Sequence, residues 1–237
     1  MSSPRMQDSD SKNIDFEVNP MMVLFSHEVG GSYAVLETFS AVMGIPAMHL
    51  QTYQRHDKKV TAAEVEAGSA MLQRSAAAVQ KAYAETYEDL REALDRGENP
   101  IINISVSYDG TWQKRGFTSL FGVGVAIDVL TGLVVDYKIL SKYFHACALA
   151  ESKHLPAEEL AAWKAEHSPD CCRNHFKSSK AMESEAAQIL WNESEATFGF
   201  LYAEMLCDGD SSAYKAVCEE DPYPTKVEKL DCTNHAH

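Results

Sequence analysis

Ile101–Leu140 reads IINISVSYDGTWQKRGFTSLFGVGVAIDVLTGLVVDYKIL: three apolar runs separated by two polar turns that contain glycine. In Ile102–Tyr108 the residues Ile102, Ile104, Val106 and Tyr108 alternate with Asn103, Ser105 and Ser107, the period of a half-buried strand. The turn Gln113–Gly116 leads into Leu120–Ile127, where Val123, Val125 and Ile127 alternate with Gly122, Gly124 and Ala126. Thr131-Gly132 is a second turn signal, and Leu133–Leu140 is again rich in strand-forming residues. The stretch predicts a three-strand antiparallel meander that presents one carboxylate, Asp109, at the end of its first strand.

The other segments can be weighed by whether they bring Asp109 a partner. Residues 1–13 are polar, without periodicity, and are expected to be disordered. Residues 14–97 are expected to be helical. Met21, Met22, Leu24, Phe25 and Val29 form a short apolar helix ended by Gly30-Gly31. Ser32 can cap a second helix carrying Val35, Leu36, Phe39 and Met43, and Gly44-Ile45-Pro46 stops it. A third helix is expected from near Ala47, its Gln51, Gln54, Arg55, Lys58 and Lys59 forming either a DNA-touching or a plainly solvated face. Three helices with these turns fit a helix-turn-helix reader, and equally a plain helical subdomain. A long helix is expected from about Ala62 to Leu94, and Arg96–Pro100 breaks it at the clearest boundary in the chain. Residues 98–237 then form an α/β domain: the meander, a Cys/His-containing insertion at about 141–180, a helix over Ser178–Asn192, a strand over Phe200–Cys207 and a short last strand over Val227–Leu230.

Bulk properties narrow the function classes. The 237 residues are 45% hydrophobic and 24% charged, ordinary for a globular protein. No run approaches the roughly 18 apolar residues of a membrane span, and the polar MSSPRMQDSDSKN has no secretory h-region. A reducing compartment is therefore expected, where six cysteines are thiols or metal ligands rather than disulfides. The net charge of −14 weighs against a complete DNA-binding protein, because phosphate contacts need Lys and Arg.

Two groups of residues carry candidate chemistry. Asp109, with Asp208 and the less favoured Asp210, places carboxylates at strand ends that can converge on one sheet edge and hold Mg²⁺ or Mn²⁺. Such ions serve in-line phosphoryl displacement. Asp-Gly pairs also make ordinary turns, so the spacing alone leaves both readings open. The second group is Cys147 with His167-x3-Cys171-x3-His175, a candidate Zn²⁺ set. Separately buried cysteines and surface histidines would produce the same pattern. Cys232-x2-His235, near the end of the chain, is a weaker signal of the same kind.

The strings SYDGTWQKRGFTSLFGVGVAID, LSKYFHACALAESK, HSPDCCRNHFKSSKAMESEAA, LCDGDSSAY and KLDCTNHAH, in this order, resemble the Mutator-like transposase domain of animal transposons. The resemblance implies a ribonuclease-H-like mixed sheet preceded by an all-helical N-terminal region. It also implies DNA transposition by metal-dependent strand cleavage and transfer. By this match Asp109 and Asp208 are the first two catalytic acids, with Asp210 as the alternative. Cys232 and His235 match a Cys-x2-His element that shapes the site. The implied partner is DNA at transposon ends, in the nucleus, with no membrane and with room for self-association. Family members usually have a cysteine near Phe144, GSS where this chain has Lys177-Ser178-Ser179, an N-terminal zinc ribbon, and a catalytic glutamate in helices beyond the Cys-x2-His element. The chain is accordingly expected to be truncated at both ends and to have little or no activity alone, with Glu183 and Glu219 in the wrong part of the topology to serve as the third acid. The alternative is a non-catalytic DNA- or protein-binding module derived from a transposase.

Overall fold

Glycines end the first two helices, each through a left-handed backbone that only glycine adopts without strain. A computed structural model describes residues 5–6, 15–114, 118–153, 155–208 and 212–231, with two compact units, Met1–Met71 and Leu72–His237. In the first unit a two-residue ribbon, β1 (Arg5–Met6) against β2 (Asp15–Phe16), precedes α1 (Val18–Glu28) and α2 (Tyr33–Met43). Gly30 (φ 66°) follows α1 and Gly44 (φ 65°) caps α2. Val23, Leu36 and Tyr53 form the small core, with the Tyr33 ring edge-on to Tyr53 at 5.5 Å. Beside it His27 bridges two carboxylates, Nε2 to Asp57 at 2.9 Å and Nδ1 to Glu64 at 3.0 Å.

The third helix and the long helix turn out to be one. α3 runs unbroken over Leu50–Thr86, 37 residues. Nothing between His49 and Thr86 stops it, and the cost of about 1 kcal/mol at its one glycine, Gly68, is outweighed by Ala-, Gln-, Glu- and Lys-rich surroundings. The interruption comes later, at extended Tyr87 (φ −115°, ψ 114°), after which α4 (Glu88–Asp95) completes the helical region.

In the second unit β3 (Ile102–Trp112), β4 (Phe121–Asp128) and β5 (Val134–Ser141) form the expected antiparallel meander. The Thr131-Gly132 turn is held by buried Asp128, whose Oδ2 accepts from the Thr131 amide (2.7 Å) and hydroxyl (2.6 Å). Then come α5 (His145–Ser152), α6 (Ala157–His167), a 3₁₀ turn at Ser168–Asp170, α7 (Ala181–Phe198), β6 (Phe200–Cys207), α8 (Ser212–Glu220) and β7 (Glu228–Asp231). The sheet order is β5-β4-β3-β6-β7, with β6 parallel to β3 and β7 parallel to β6. This mixed α/β arrangement after a helical N-terminal region is compatible with the ribonuclease-H-like layout.

α7 fixes which face of the sheet is covered. In β4 the buried residues are Gly122, Gly124, Ala126 and Asp128, whereas Val123, Val125 and Ile127 are partly or largely exposed. The small residues are inside because the helix lies directly on them: a Cβ on Gly124 would stand 2.7 Å from Ala186 Cβ, and one on Gly122 would stand 3.3 Å from Met182 Cβ. Trp191 anchors the same helix, edge-on to Tyr108 and Tyr202, its Nε1 donating to the Tyr202 carbonyl at 3.0 Å.

Candidate functional site

Asp109 lies inside β3 rather than at its end. It pairs opposite Val125, and the ladder with β4 continues to Trp112↔Gly122. Asp109-Gly110 is therefore strand, not turn. What does end near Asp109 is the parallel partner, because β6 stops at Cys207.

The β3–β6 register aims the two aspartates at the same end of the central strand pair. Ile104 pairs with Tyr202 but Ser105 pairs with Glu204, so Ala203 is an unpaired bulge. Beyond it the pairing runs to Ser107↔Leu206, and the same offset carried two residues further would set Asp109 opposite Asp208. Without the bulge Cys207 would stand there. Both aspartates are exposed. Asp210, Cys232 and His235 lie outside the described residues.

A third carboxylate, Glu183, is near enough to feel the charge of both aspartates. Glu183 sits in the first turn of α7, which three contacts pin to the sheet. The Tyr108 hydroxyl donates to the Glu183 carbonyl (2.7 Å), Trp112 Nε1 donates to the Ser179 carbonyl (3.2 Å), and the Ser179 hydroxyl donates to the Ser119 carbonyl (2.7 Å). The Glu183 side chain then lies over Gly110, where a Cβ would meet its Cγ at 2.8 Å. Burial, then the negative charges of Asp109 and Asp208, push the Glu183 carboxyl above its ordinary value. The crossover from β5 to β6 carries α7 back over β4 and the end of β3. Carboxylates are hard oxygen donors of the kind Mg²⁺ and Mn²⁺ take, but among the described residues these three do not bring their oxygens within 4.8 Å of one another, as Cys147, His167 and Cys171 do with their ligand atoms.

The Cys/His set resolves into three residues together and one apart. One ligand atom from each of Cys147 (α5), His167 (end of α6) and Cys171 (after the 3₁₀ turn) lies within 4.8 Å of the others, and the two sulfurs are 3.4 Å apart. Burial and the adjoining Cys171 thiol push the Cys147 thiol upward. His175 is elsewhere. Its backbone amide donates to the Ser141 carbonyl at 3.0 Å, and its fully buried ring faces the Ser178 carbonyl (2.9 Å) and Glu185 (3.3 Å). Neighbouring Asn174 causes this by clipping the segment to β5: its Oδ1 accepts from the Ser141 amide (2.7 Å) and its Nδ2 donates to the Ile139 carbonyl (2.9 Å).

Fold and site together define a mixed α/β protein whose neighbouring parallel strands present carboxylates at one edge. The chain belongs to the Mutator-like transposase family, whose sequence model matches residues 3–237. No curated protein and no solved structure matches it. Among the described residues no helix is long and apolar enough to cross a membrane.

Proposed function

We propose that this transposase-family chain acts on DNA by metal-dependent phosphoryl transfer, cleaving and joining strands at transposon ends in the nucleus. Asp109 and Asp208 would hold Mg²⁺ or Mn²⁺, and Glu183 would add a third carboxylate. The observation that supports this reading is the register of the central parallel strands, which, continued two residues past its last pair Ser107↔Leu206, would set Asp109 level with Asp208 in a member of this family. A bound divalent cation supplies charge neutralisation for an in-line attack on a phosphodiester. The protein's own part is placement. β3 carries Asp109 on paired backbone, Asp208 follows directly on the last residue of β6, and the Tyr108 hydroxyl holds the turn of α7 that carries the third acid. Gly110 leaves the space that the Glu183 side chain fills.

The test is Mn²⁺ binding to the full chain by calorimetry, together with Mn²⁺-dependent nicking of plasmid DNA. Asp109→Asn and Asp208→Asn should each abolish both, and Glu183→Gln should weaken Mn²⁺ binding about tenfold or more. Unchanged Mn²⁺ binding in both aspartate variants would sink the site. Loss in those two with none in Glu183→Gln would remove Glu183 alone. DNA binding without any nicking would favour the non-catalytic module.

A further inference from the structure

Between Lys142 and Lys180 the chain forms a lobe with almost no apolar interior. Its buried residues, among those described, are Cys147, Ala150, His175 and Ser179, and α6 buries none of its residues. Leu149 and Phe176 are exposed. α5 has 8 residues and α6 has 11, lengths at which an isolated helix is marginal in water. A lobe of this kind needs a crosslink of some sort to hold its shape.

The geometry points to a zinc ion held by Cys147, His167 and Cys171, which staples α5, the end of α6 and the following segment into one lobe. Each ligand is prepared. The His167 ring is sandwiched between Trp163 (centroids 4.5 Å, planes 18° apart) and Phe144 (5.1 Å, 20°), which fixes its orientation. Its Nε2 is buried without a hydrogen-bond partner, a costly state for a polar atom that another partner would relieve. The sulfurs favour a metal over a covalent bond. Tetrahedral Zn–S bonds of about 2.3 Å set two thiolates about 3.8 Å apart, whereas a disulfide needs about 2.05 Å. The 3.4 Å separation is nearer the first. Two thiolates and an imidazole are also the soft and borderline donors that select zinc over Mg²⁺ or Mn²⁺. His175 is not a ligand, since it is tied to the end of β5. The proposal stands independently of any catalysis at Asp109.

The experiment is metal analysis of the full chain purified under reducing conditions, with Co²⁺ substitution to register thiolate-to-metal charge transfer. About one zinc per chain is expected, and a chelator should lower the melting temperature. Cys147→Ser, Cys171→Ser and His167→Gln should each weaken Zn²⁺ binding about tenfold or more, while Cys172→Ser, one position along and exposed, should leave it unchanged. Should a cysteine variant fail to fold, the thiolate charge-transfer band of the wild-type chain and the His167→Gln affinity still decide the matter. A folded, reduced chain that takes up no zinc would overturn the proposal. So would a Cys147–Cys171 disulfide in the reduced preparation, or loss of zinc in Cys172→Ser.

Discussion

Gly124→Ala tests how α7 is seated on the sheet. Gly124 faces α7 from β4, opposite Gly110. An added Cβ would stand 2.4 Å from the Tyr108 hydroxyl oxygen and 2.7 Å from Ala186 Cβ, where unstrained contacts lie at about 3.5–4.0 Å. Neither neighbour yields easily. The Tyr108 hydroxyl is held by its 2.7 Å bond to the Glu183 carbonyl, and Ala186 has no rotamer to change. The helix must lift, or the phenol must leave its acceptor. Overpacking costs about 1–3 kcal/mol, and two overlaps of about an ångström argue for the upper end. Reduced freedom of the unfolded chain returns about 0.4–1 kcal/mol, leaving about 2 kcal/mol, or about 4–8 °C in melting temperature for a chain of this size. Urea unfolding followed by tryptophan fluorescence measures it, with buried Trp191 as reporter. Gly122→Ala is the comparison: its Cβ would meet the flexible Met182 Sδ at 3.0 Å, so it should cost less than Gly124→Ala. Tyr108→Phe combined with Gly124→Ala should recover about 1 kcal/mol relative to additivity, because the nearest atom is gone. A Gly124→Ala chain as stable as the wild type would refute this account of the helix–sheet contact.

Two pH-dependent effects follow from buried and paired groups. Burial raises Asp136 from 3.8 to about 6, with Glu193 adding to the shift and the Tyr137 amide and Lys138 opposing it. The folded form therefore holds its proton more tightly than the unfolded chain, and this carboxyl lowers stability as pH rises through that interval. Asp136→Asn should accordingly stabilise the protein by about 1–3 kcal/mol at pH 7.5 and by nothing near pH 3.5, in urea titrations at the two values. His27 behaves in the opposite sense. Burial lowers its pKa, but hydrogen bonds to Asp57 and Glu64 outweigh this and leave it above 6.5. Its contribution is full below about 6.5 and fades as pH climbs through the raised value. Melting curves at pH 6 and pH 8.5 should therefore differ more for the wild type than for His27→Gln, and equal differences would exclude the bridge as a source of stability.

Much of the architecture was legible in the residues. The alternation Ile102–Tyr108, the Thr131-Gly132 turn and the apolar run at Phe200–Cys207 mark strands without help from tertiary structure, and Gly30 and Gly44 mark helix ends. Other features depend on packing that no local pattern encodes. Apolar periodicity in β4 points to the valines, yet the glycines are buried because a helix needs to come close. Those glycines, with Gly110, are the available clue that a helix crosses β3 and β4, and thus that a residue such as Glu183 could lie over Gly110. The equal spacing of His167, Cys171 and His175 implied a common site. It misleads because Asn174 hydrogen-bonds along β5 and carries His175 away. The level of Asp208 against Asp109 rests on one bulged residue, which composition does not reveal.

That bulge has a consequence for the order in which the protein is made. Past Ala203, partners across the central parallel pair are all 99 positions apart, as Ser105 and Glu204 are. The meander, Ile102–Ser141, closes through short local turns and can pair while β6 is still inside the ribosome. Asp109 is therefore on display early, as a lone carboxylate with little hold on a cation. It gains Asp208 only after the Cys/His lobe, α7 and β6 have all emerged. The meander can thus stand complete while the two aspartates are still more than half the remaining domain apart in synthesis.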